Sequence, residues 1–175
     1  MDRNNTWKIA IIVLVLLSVL GVFVMKKSPS SLGLAEIQKA IDESKGSINA
    51  DTFSPEYVAS LGKPAIFVFG ESWCQPCLSM IPSLEELSRE QSSVVIEYVD
   101  LEKVPEALSY IPISATPTIA YYLEGGKPYM PSDLIPVDFI QYADRETGEA
   151  VLTLSIGAIG KDMLSMIIED LSDAR

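Results

Sequence analysis

The chain has 175 residues, 48% of them hydrophobic, which is room for one ordinary domain and a short appendage. Four of the thirteen basic residues but only one of the twenty-four acidic residues precede residue 28, so residues 28–175 carry a net charge of −14. Such an acidic domain is repelled by phosphate backbones and anionic headgroups, and nucleic acid is therefore excluded as an expected partner.

The first predicted element is a membrane anchor over residues 1–27. Residues 9–25 are almost entirely apolar, and this run is long enough for one transmembrane helix in a lipid bilayer. Trp7 and Lys8 before the run and two lysines after it are typical of interfacial anchors. We expect a single-pass protein with a cytoplasmic N-terminus and an extracytoplasmic domain, with a cleaved signal peptide as the alternative.

A linker and two short helices follow the anchor. Residues 28–33, rich in Ser, with one Pro and one Gly, predict a flexible linker to a domain over residues 34–175. Apolar residues at helical spacing predict an amphipathic helix over residues 34–46. Ser54 followed by Pro55 predicts the N-cap and the first residue of a second helix.

Strands and helices then alternate. Residues 65–69 and 94–99 are apolar runs of strand length, and they flank a helix predicted over residues 74–90. This order implies a right-handed crossover and a parallel pair of strands. Three later strands are predicted over residues 118–123, 137–142 and 150–156, the last two joined by a charged hairpin turn, and a final helix follows Gly160. The predicted fold is an α/β sandwich.

The two cysteines are the candidate reactive groups of a chain that has no histidine. A structural zinc site needs about four Cys or His ligands, and Leu78 stands where covalent haem attachment requires histidine. If Cys74 begins the helix, backbone N–H groups and the helix dipole stabilise its thiolate, and Cys77 lies one turn along the same face. Pro76 fits that first turn. A purely structural disulfide is the alternative.

Four features, in this order, resemble the thioredoxin family. Residues 73–77 read Trp-Cys-Gln-Pro-Cys after an apolar strand, and Pro82 matches the proline that kinks the active-site helix of that family. Residues 115–118 read Ala-Thr-Pro-Thr, which is similar to the cis-proline loop that faces the disulfide. Residues 157–158, Gly-Ala, are similar to a turn on the substrate groove. The resemblance covers about residues 60–172.

The resemblance implies a thioredoxin-like three-layer α/β sandwich with a central mixed sheet, here preceded by one transmembrane helix. It implies a thiol-disulfide oxidoreductase in which Cys74 attacks disulfides of protein substrates and Cys77 resolves the mixed disulfide. The expected substrate groove is lined by Trp73, Pro76, Thr116, Pro117, Gly157 and Ala158. Pro117 is expected to be cis, and no metal or organic cofactor is implied beyond the redox-active Cys74–Cys77 disulfide.

The sequence departs from the family pattern in two places. Val68 and Ile96 stand where many thioredoxins place a buried Asp and a Lys, which puts in doubt the route by which Cys77 loses its proton. Glu71 is the nearest candidate proton acceptor, and an exposed loop acid is the alternative interpretation. An insertion at about residues 125–136 predicts a loop beside the active site that shapes the choice of partner, with a remote decoration as the alternative.

The direction of electron flow is predicted from the charges around the cysteines. No positive charge lies between them, Pro76 removes a backbone donor, and Glu71 opposes a thiolate, so we expect a reducing couple. The expected reaction is reduction or isomerisation of disulfides, and the resemblance suggests a membrane thiol-electron donor. The alternatives are an extracytoplasmic disulfide oxidase and a metallochaperone that holds Cu(I) between Cys74 and Cys77 near Met80.

Overall fold

The computed structural model of the protein describes residues 47–174. The predicted membrane anchor, the linker and the first predicted helix lie outside the described residues. Between residues 47 and 174, no helix combines the length and the apolar composition needed to cross a membrane. The transmembrane helix over residues 9–25 stays a prediction.

Strands alternate with helices along the described chain. Helix α1 spans Pro55–Ser60, α2 spans Gln75–Glu90 and α3 spans Lys161–Asp173. The strands are β1 (Ala65–Gly70), β2 (Val95–Asp100), β3 (Thr118–Tyr122), β4 (Ile140–Ala143) and β5 (Ala150–Ile156). Two short 3₁₀ turns, Pro105–Ser109 and Glu124–Gly126, are additions to the predicted elements.

Local signals set the ends of these elements. The Ser54 side chain caps α1 by accepting the N–H of Tyr57 at 3.1 Å, and Pro55 is the first helical residue, as predicted. β4 begins at Ile140 rather than at the predicted residue 137. The reason is a tight turn, in which the N–H of Val137 donates to the carbonyl of Ile135 at 2.9 Å.

The five strands form one mixed sheet in the order β2-β1-β3-β5-β4. β1 and β2 are parallel, with Ala65 opposite Val95 and Gly70 opposite Asp100, which confirms the predicted parallel pair. β3 is antiparallel to β1 and to β5, and β4 with β5 forms the predicted hairpin. All six residues of β1 are buried. The turn that follows its carboxyl end therefore begins between the neighbouring strands β2 and β3.

Helical segments cover both faces of the sheet, and this gives three layers. Because successive strand residues point to opposite faces, Val68 of β1 faces α2 and α3, whereas Phe67 faces α1 and the Pro105–Ser109 turn. The first core contains both cysteines and the apolar stripes of α2 and α3. The second core is built around aromatic rings. The predicted α/β sandwich is confirmed for the described residues.

The insertion at residues 125–136 is held in place by the core. Tyr129 is fully buried, and its hydroxyl donates to the carboxylate of Asp170 in α3. The hydroxyl of Thr153 in β5 donates to the Tyr129 carbonyl at 2.5 Å. The first residues of the insertion line a pocket with residues 62–64, which precede β1. That end of the sheet is opposite the cysteines, so the start of the insertion does not form the expected loop beside the active site.

Glu97 is a partly buried acid on the face that α1 covers. Its Oε1 accepts a hydrogen bond from the Tyr57 hydroxyl at 2.7 Å, and its Oε2 is buried with no partner among the described residues. Burial raises the pKa of Glu97 above its ordinary value of 4.5, while the Tyr57 hydrogen bond opposes the shift and Asp51 adds to it. The folded protein therefore binds this proton more tightly than the unfolded chain does.

Replacing Glu97 with Gln is expected to remove one component of the pH dependence of stability. Because the folded pKa of Glu97 lies above its unfolded pKa, this component is fully present below about pH 4 and is lost as pH rises through the folded pKa. The difference in unfolding free energy, E97Q minus wild type, should therefore increase by a few tenths to about 1 kcal/mol on raising the pH to about 7.

Urea denaturation at both pH values measures this difference. Glu56→Gln is the matched control, because Glu56 is exposed and a backbone hydrogen bond lowers its pKa. The Glu56 contribution has the opposite sign: it is present above the unfolded pKa and is lost on acidification. An E97Q variant whose stability follows pH in parallel with wild type contradicts the prediction.

Candidate active site

The two cysteines meet at the amino end of α2. Cys74 is the N-cap residue of this helix and forms a disulfide with Cys77, with the Cα atoms 5.2 Å apart. The backbone N–H of Cys77 donates to the Sγ of Cys74 at 3.2 Å. Because the amino end of a helix carries unpaired N–H groups and a partial positive charge, this position favours a thiolate on Cys74 after reduction.

The turn between β1 and α2 places Cys74 at the start of the helix. Gly70 ends β1, and the carbonyl of Glu71 accepts the N–H of Cys74 at 3.1 Å. Pro76 lies in the first turn of α2, where its missing N–H costs no intrahelical hydrogen bond. Pro82 lies inside α2, one and a half turns further along. The cysteine pair therefore lies just beyond the carboxyl end of β1, a buried interior strand of the sheet.

Cys74 and Cys77 differ in their access to solvent. Cys74 retains 4% exposure, whereas Cys77 is fully buried. Trp73, next to Cys74, is 67% exposed, and Pro76 is exposed as well. Exposed Trp73 thus lies next to the less completely buried of the two cysteines.

A proline loop forms a second part of the site. The Thr116-Pro117 peptide bond is cis, as the resemblance predicts, and β3 begins immediately after it. The N–H of Gly157, at the end of β5, donates to the Pro117 carbonyl at 2.8 Å. Gly157 has a φ of 103°, a conformation that residues with a side chain rarely adopt. Ala158 follows as an exposed residue on the same surface.

Glu71 connects the cysteine turn to the proline loop. Its carboxylate accepts a hydrogen bond from the Thr116 hydroxyl at 3.3 Å, and its carbonyl accepts the N–H of Cys74. Trp73 thus lies in the turn before α2 and Pro76 in the first turn of that helix. Glu71 joins this region to the loop that contains Thr116 and Pro117. The roles assigned to these residues stay predictions.

Tyr98 is a site residue that the sequence patterns did not single out. Val68 and Ile96 are buried and apolar, as expected, but Tyr98 lies in register with Val68 and faces the same core. Its hydroxyl donates to the Glu71 carbonyl at 3.5 Å. The signal in the sequence was Gly70, because a glycine at the end of a buried strand marks a close approach of another group.

The fold and the site define a class of protein: an α/β sandwich with a cysteine pair at a helix amino end beside a cis-proline loop. The family profile described as Thioredoxin matches residues 45–138, which is more than half of the chain. The chain belongs to the thioredoxin family. The match contains both cysteines and Pro117, and it ends before β4 and Gly157.

Two curated relatives illustrate the extent of the similarity. Thioredoxin H5 of Oryza sativa subsp. japonica is 35% identical over 66 residues, which is 38% of this chain and 49% of the relative. Thioredoxin-like 3-3 of Arabidopsis thaliana is 33% identical over 70 residues, 40% of this chain and 54% of the relative. The chain thus spans about half the length of these curated relatives.

Solved structures support the fold. A mutant thioredoxin from Halobacterium salinarum NRC-1 superposes with a TM-score of 0.51 at 18% identity, covering 73% of this chain and 92% of that one. Chloroplastic thioredoxin z gives a TM-score of 0.50 at 19% identity, covering 73% of this chain and 97% of that one. At these identities the likeness concerns the fold alone, and the predicted thioredoxin-like fold with a central mixed sheet is confirmed.

Proposed function

We propose that this protein is a thiol-disulfide oxidoreductase that exchanges disulfides with protein substrates through Cys74 and Cys77. The observation that carries the proposal is the asymmetry of the pair. Cys74 lies at the amino end of α2 beside exposed Trp73, and Cys77 is bonded to it from the buried side. Membership of the thioredoxin family and the Trp-Cys-Gln-Pro-Cys motif support the same chemistry.

The reaction has two steps. The Cys74 thiolate attacks one sulfur of a substrate disulfide, and the other substrate sulfur leaves as a thiolate. Cys77 then loses its proton and attacks the Sγ of Cys74, so the second substrate thiolate leaves and the Cys74–Cys77 disulfide forms. The substrate gains two electrons and the cysteine pair loses two. The loop at Thr116 and Pro117 supplies backbone groups that hold an extended substrate strand.

Reduction or isomerisation is the proposed direction. Residues 73–77 carry no basic side chain, and Pro76 removes one donor from the first turn of α2. The carboxylate of Glu71, which reaches Thr116 beside the site, disfavours further negative charge on Cys74. A weakly stabilised thiolate makes a reducing couple, so the protein needs an electron source. A membrane thiol-electron donor is the proposed source, and no metal or organic cofactor enters the mechanism.

The proposed location is a membrane, with the N-terminus cytoplasmic and the redox domain extracytoplasmic. The apolar run over residues 9–25 and its flanking cations support a single anchor in the lipid bilayer, followed by the linker at residues 28–33. The net negative charge after residue 28 argues against nucleic acid as a partner. Reduction of intact cells with a membrane-impermeant phosphine, followed by labelling of Cys74 with a membrane-impermeant maleimide, tests the orientation, and labelling only after lysis contradicts it.

The activity is tested with the full chain, insulin and dithiothreitol. Catalysed reduction of insulin is expected, and the Cys74→Ser variant is the control that should show none. Equilibration with glutathione gives the reduction potential: a value near about −270 mV supports the reducing direction, and a value near about −120 mV supports the oxidase. Tight binding of one Cu(I) per chain without insulin reduction favours the metallochaperone.

Glu71 is the proposed acceptor of the Cys77 proton, and Glu71→Gln tests this role. Ellman's reagent separates the two steps in one turnover: the first equivalent of thionitrobenzoate reports attack by Cys74, and the second reports resolution by Cys77. Loss of a general base should slow the second release about a hundredfold. Thr116→Val is the control, because it removes the hydrogen bond at 3.3 Å but leaves the charge. Equal second phases in E71Q and wild type exclude Glu71 as the acceptor.

A further inference from the structure

The ring of Tyr98 occupies space beside Cys77 that Gly70 leaves free. A Cβ placed on Gly70 would lie 2.9 Å from the Cζ of Tyr98 and 3.0 Å from the Cβ of Cys77. The Cζ of Tyr98 and the Cβ of Cys77 are therefore at most about 6 Å apart. The phenol and the side chain of the buried cysteine are therefore neighbours within one core.

We propose that the Tyr98 hydroxyl donates a hydrogen bond to the Cys77 sulfur when the disulfide opens, and that this bond stabilises the Cys77 thiolate. The inference rests on the proposed function, because it assigns Tyr98 a part in the same exchange reaction. It concerns the buried sulfur, whereas the helix amino end and the N–H of Cys77 act on Cys74.

The hydroxyl has a proton available for this bond. In the disulfide form it donates to the Glu71 carbonyl at 3.5 Å, a distance at which a hydrogen bond is weak. A thiolate is a charged acceptor and binds a donor more strongly than a distant carbonyl does. Burial raises the pKa of Tyr98, and the carboxylates of Asp100, Glu71 and Glu102 raise it further. Tyr98 therefore keeps its proton at neutral pH and acts as a donor.

Cys77 needs a donor because its surroundings are apolar. It has no exposed surface, and it belongs to the hydrophobic core that also contains Val68, Met80 and Ile96. A buried negative charge is costly unless it is hydrogen-bonded. The Tyr98 hydroxyl is the polar side-chain group that the structure brings to this cysteine from β2.

The hydrogen bond acts in both directions of exchange. When a donor thiolate attacks the Sγ of Cys74, the disulfide bond breaks and the Cys77 sulfur takes the bonding pair. In the opposite direction, the Cys77 proton passes to Glu71, the acceptor proposed above, and the thiolate attacks the mixed disulfide. Tyr98 stabilises the same thiolate in both cases and does not transfer its own proton.

Tyr98→Phe tests the inference, because it removes the hydroxyl and retains the ring. With the reduced full chain and Ellman's reagent, release of the second thionitrobenzoate should slow about threefold at neutral pH, because the smaller thiolate fraction is partly offset by a more nucleophilic sulfur, while the first release is unchanged. The pH midpoint of the second release should rise by about one unit, because the Cys77 thiolate loses its donor. A purely structural role of the ring would leave that midpoint in place.

Tyr122→Phe is the matched control, because Tyr122 is a buried phenol in the other core and should affect neither release. An unchanged second release and midpoint in Y98F overturn the inference. A wild-type protein that releases only one equivalent overturns the proposed function itself.

Discussion

The Cys77→Ser variant is expected to stop after the first step and to remain covalently joined to its substrate. Cys74 keeps its place as the N-cap of α2 and still attacks, but no sulfur remains to displace the bound partner. Multiple-turnover reduction of insulin should fall about a thousandfold or more, because the two cysteines act as a unit. Mixed disulfides should accumulate, and non-reducing gels followed by mass spectrometry identify the captured proteins.

The reciprocal variant is the control for this prediction. In Cys74→Ser the remaining thiol is Cys77, which has no exposed surface. This variant should lose turnover to the same extent but capture no partner. Capture by Cys74→Ser, or equal capture by both variants, would show that the order of attack assigned from the exposure of the two sulfurs is wrong.

Much of the fold follows from signals that lie within short stretches of sequence. The six buried residues of β1 form a continuous apolar run, and Ser54 with Pro55 marks the start of α1. The cysteine spacing and Pro76 place the reactive pair in the first turn of a helix. Each of these signals acts over a few residues, so tertiary contacts were not needed to interpret them.

The contribution of Tyr98 depends on contacts that a single sequence does not display. Tyr98 reaches the cysteines because β1 and β2 pair in parallel with Val68 opposite Tyr98, and because Gly70 has no side chain. The strand pattern predicts that Tyr98 is buried, but the register decides what it contacts. The apolar residues Val68 and Ile96 show that the buried Asp and Lys of many thioredoxins are missing beside Cys77. The pairing of β1 with β2 shows that Tyr98 is the candidate group that acts on this cysteine instead.

The sequence did not decide between a loop beside the cysteines and a remote decoration for a related reason, and the first residues of the insertion lie away from the cysteines. Its richness in Pro, Gly and Tyr indicates a loop, but composition does not say where a loop packs. Tyr129 is a buried anchor whose hydroxyl donates to Asp170, a residue about forty positions later in α3. The position of the loop is thus determined by a long-range polar contact, and its first residues lie near the beginning of β1.

Phe53→Ala is expected to destabilise the domain by about 3–5 kcal/mol, which is a large part of the stability of an ordinary domain. Phe53 is 1% exposed, and its ring packs edge-on against Phe67 at 5.0 Å and Phe69 at 4.9 Å between centroids. Removal of this ring leaves a cavity between α1 and the sheet that two rigid aromatic neighbours cannot fill. Urea unfolding, monitored by circular dichroism, measures the loss.

Two control variants separate this effect from general perturbation. Phe53→Leu keeps most of the buried volume and should cost less than about 1.5 kcal/mol, and Leu108→Ala, at a 54% exposed position, should change stability by less than about 0.5 kcal/mol.

The exchange rate per folded molecule should be unchanged in Phe53→Ala, because the cysteines belong to the core on the other face of the sheet. A rate that falls while the protein remains folded would show that the two cores are coupled through β1. In that case, the apolar residues of the core on the opposite face of the sheet would influence the reactivity of the cysteines.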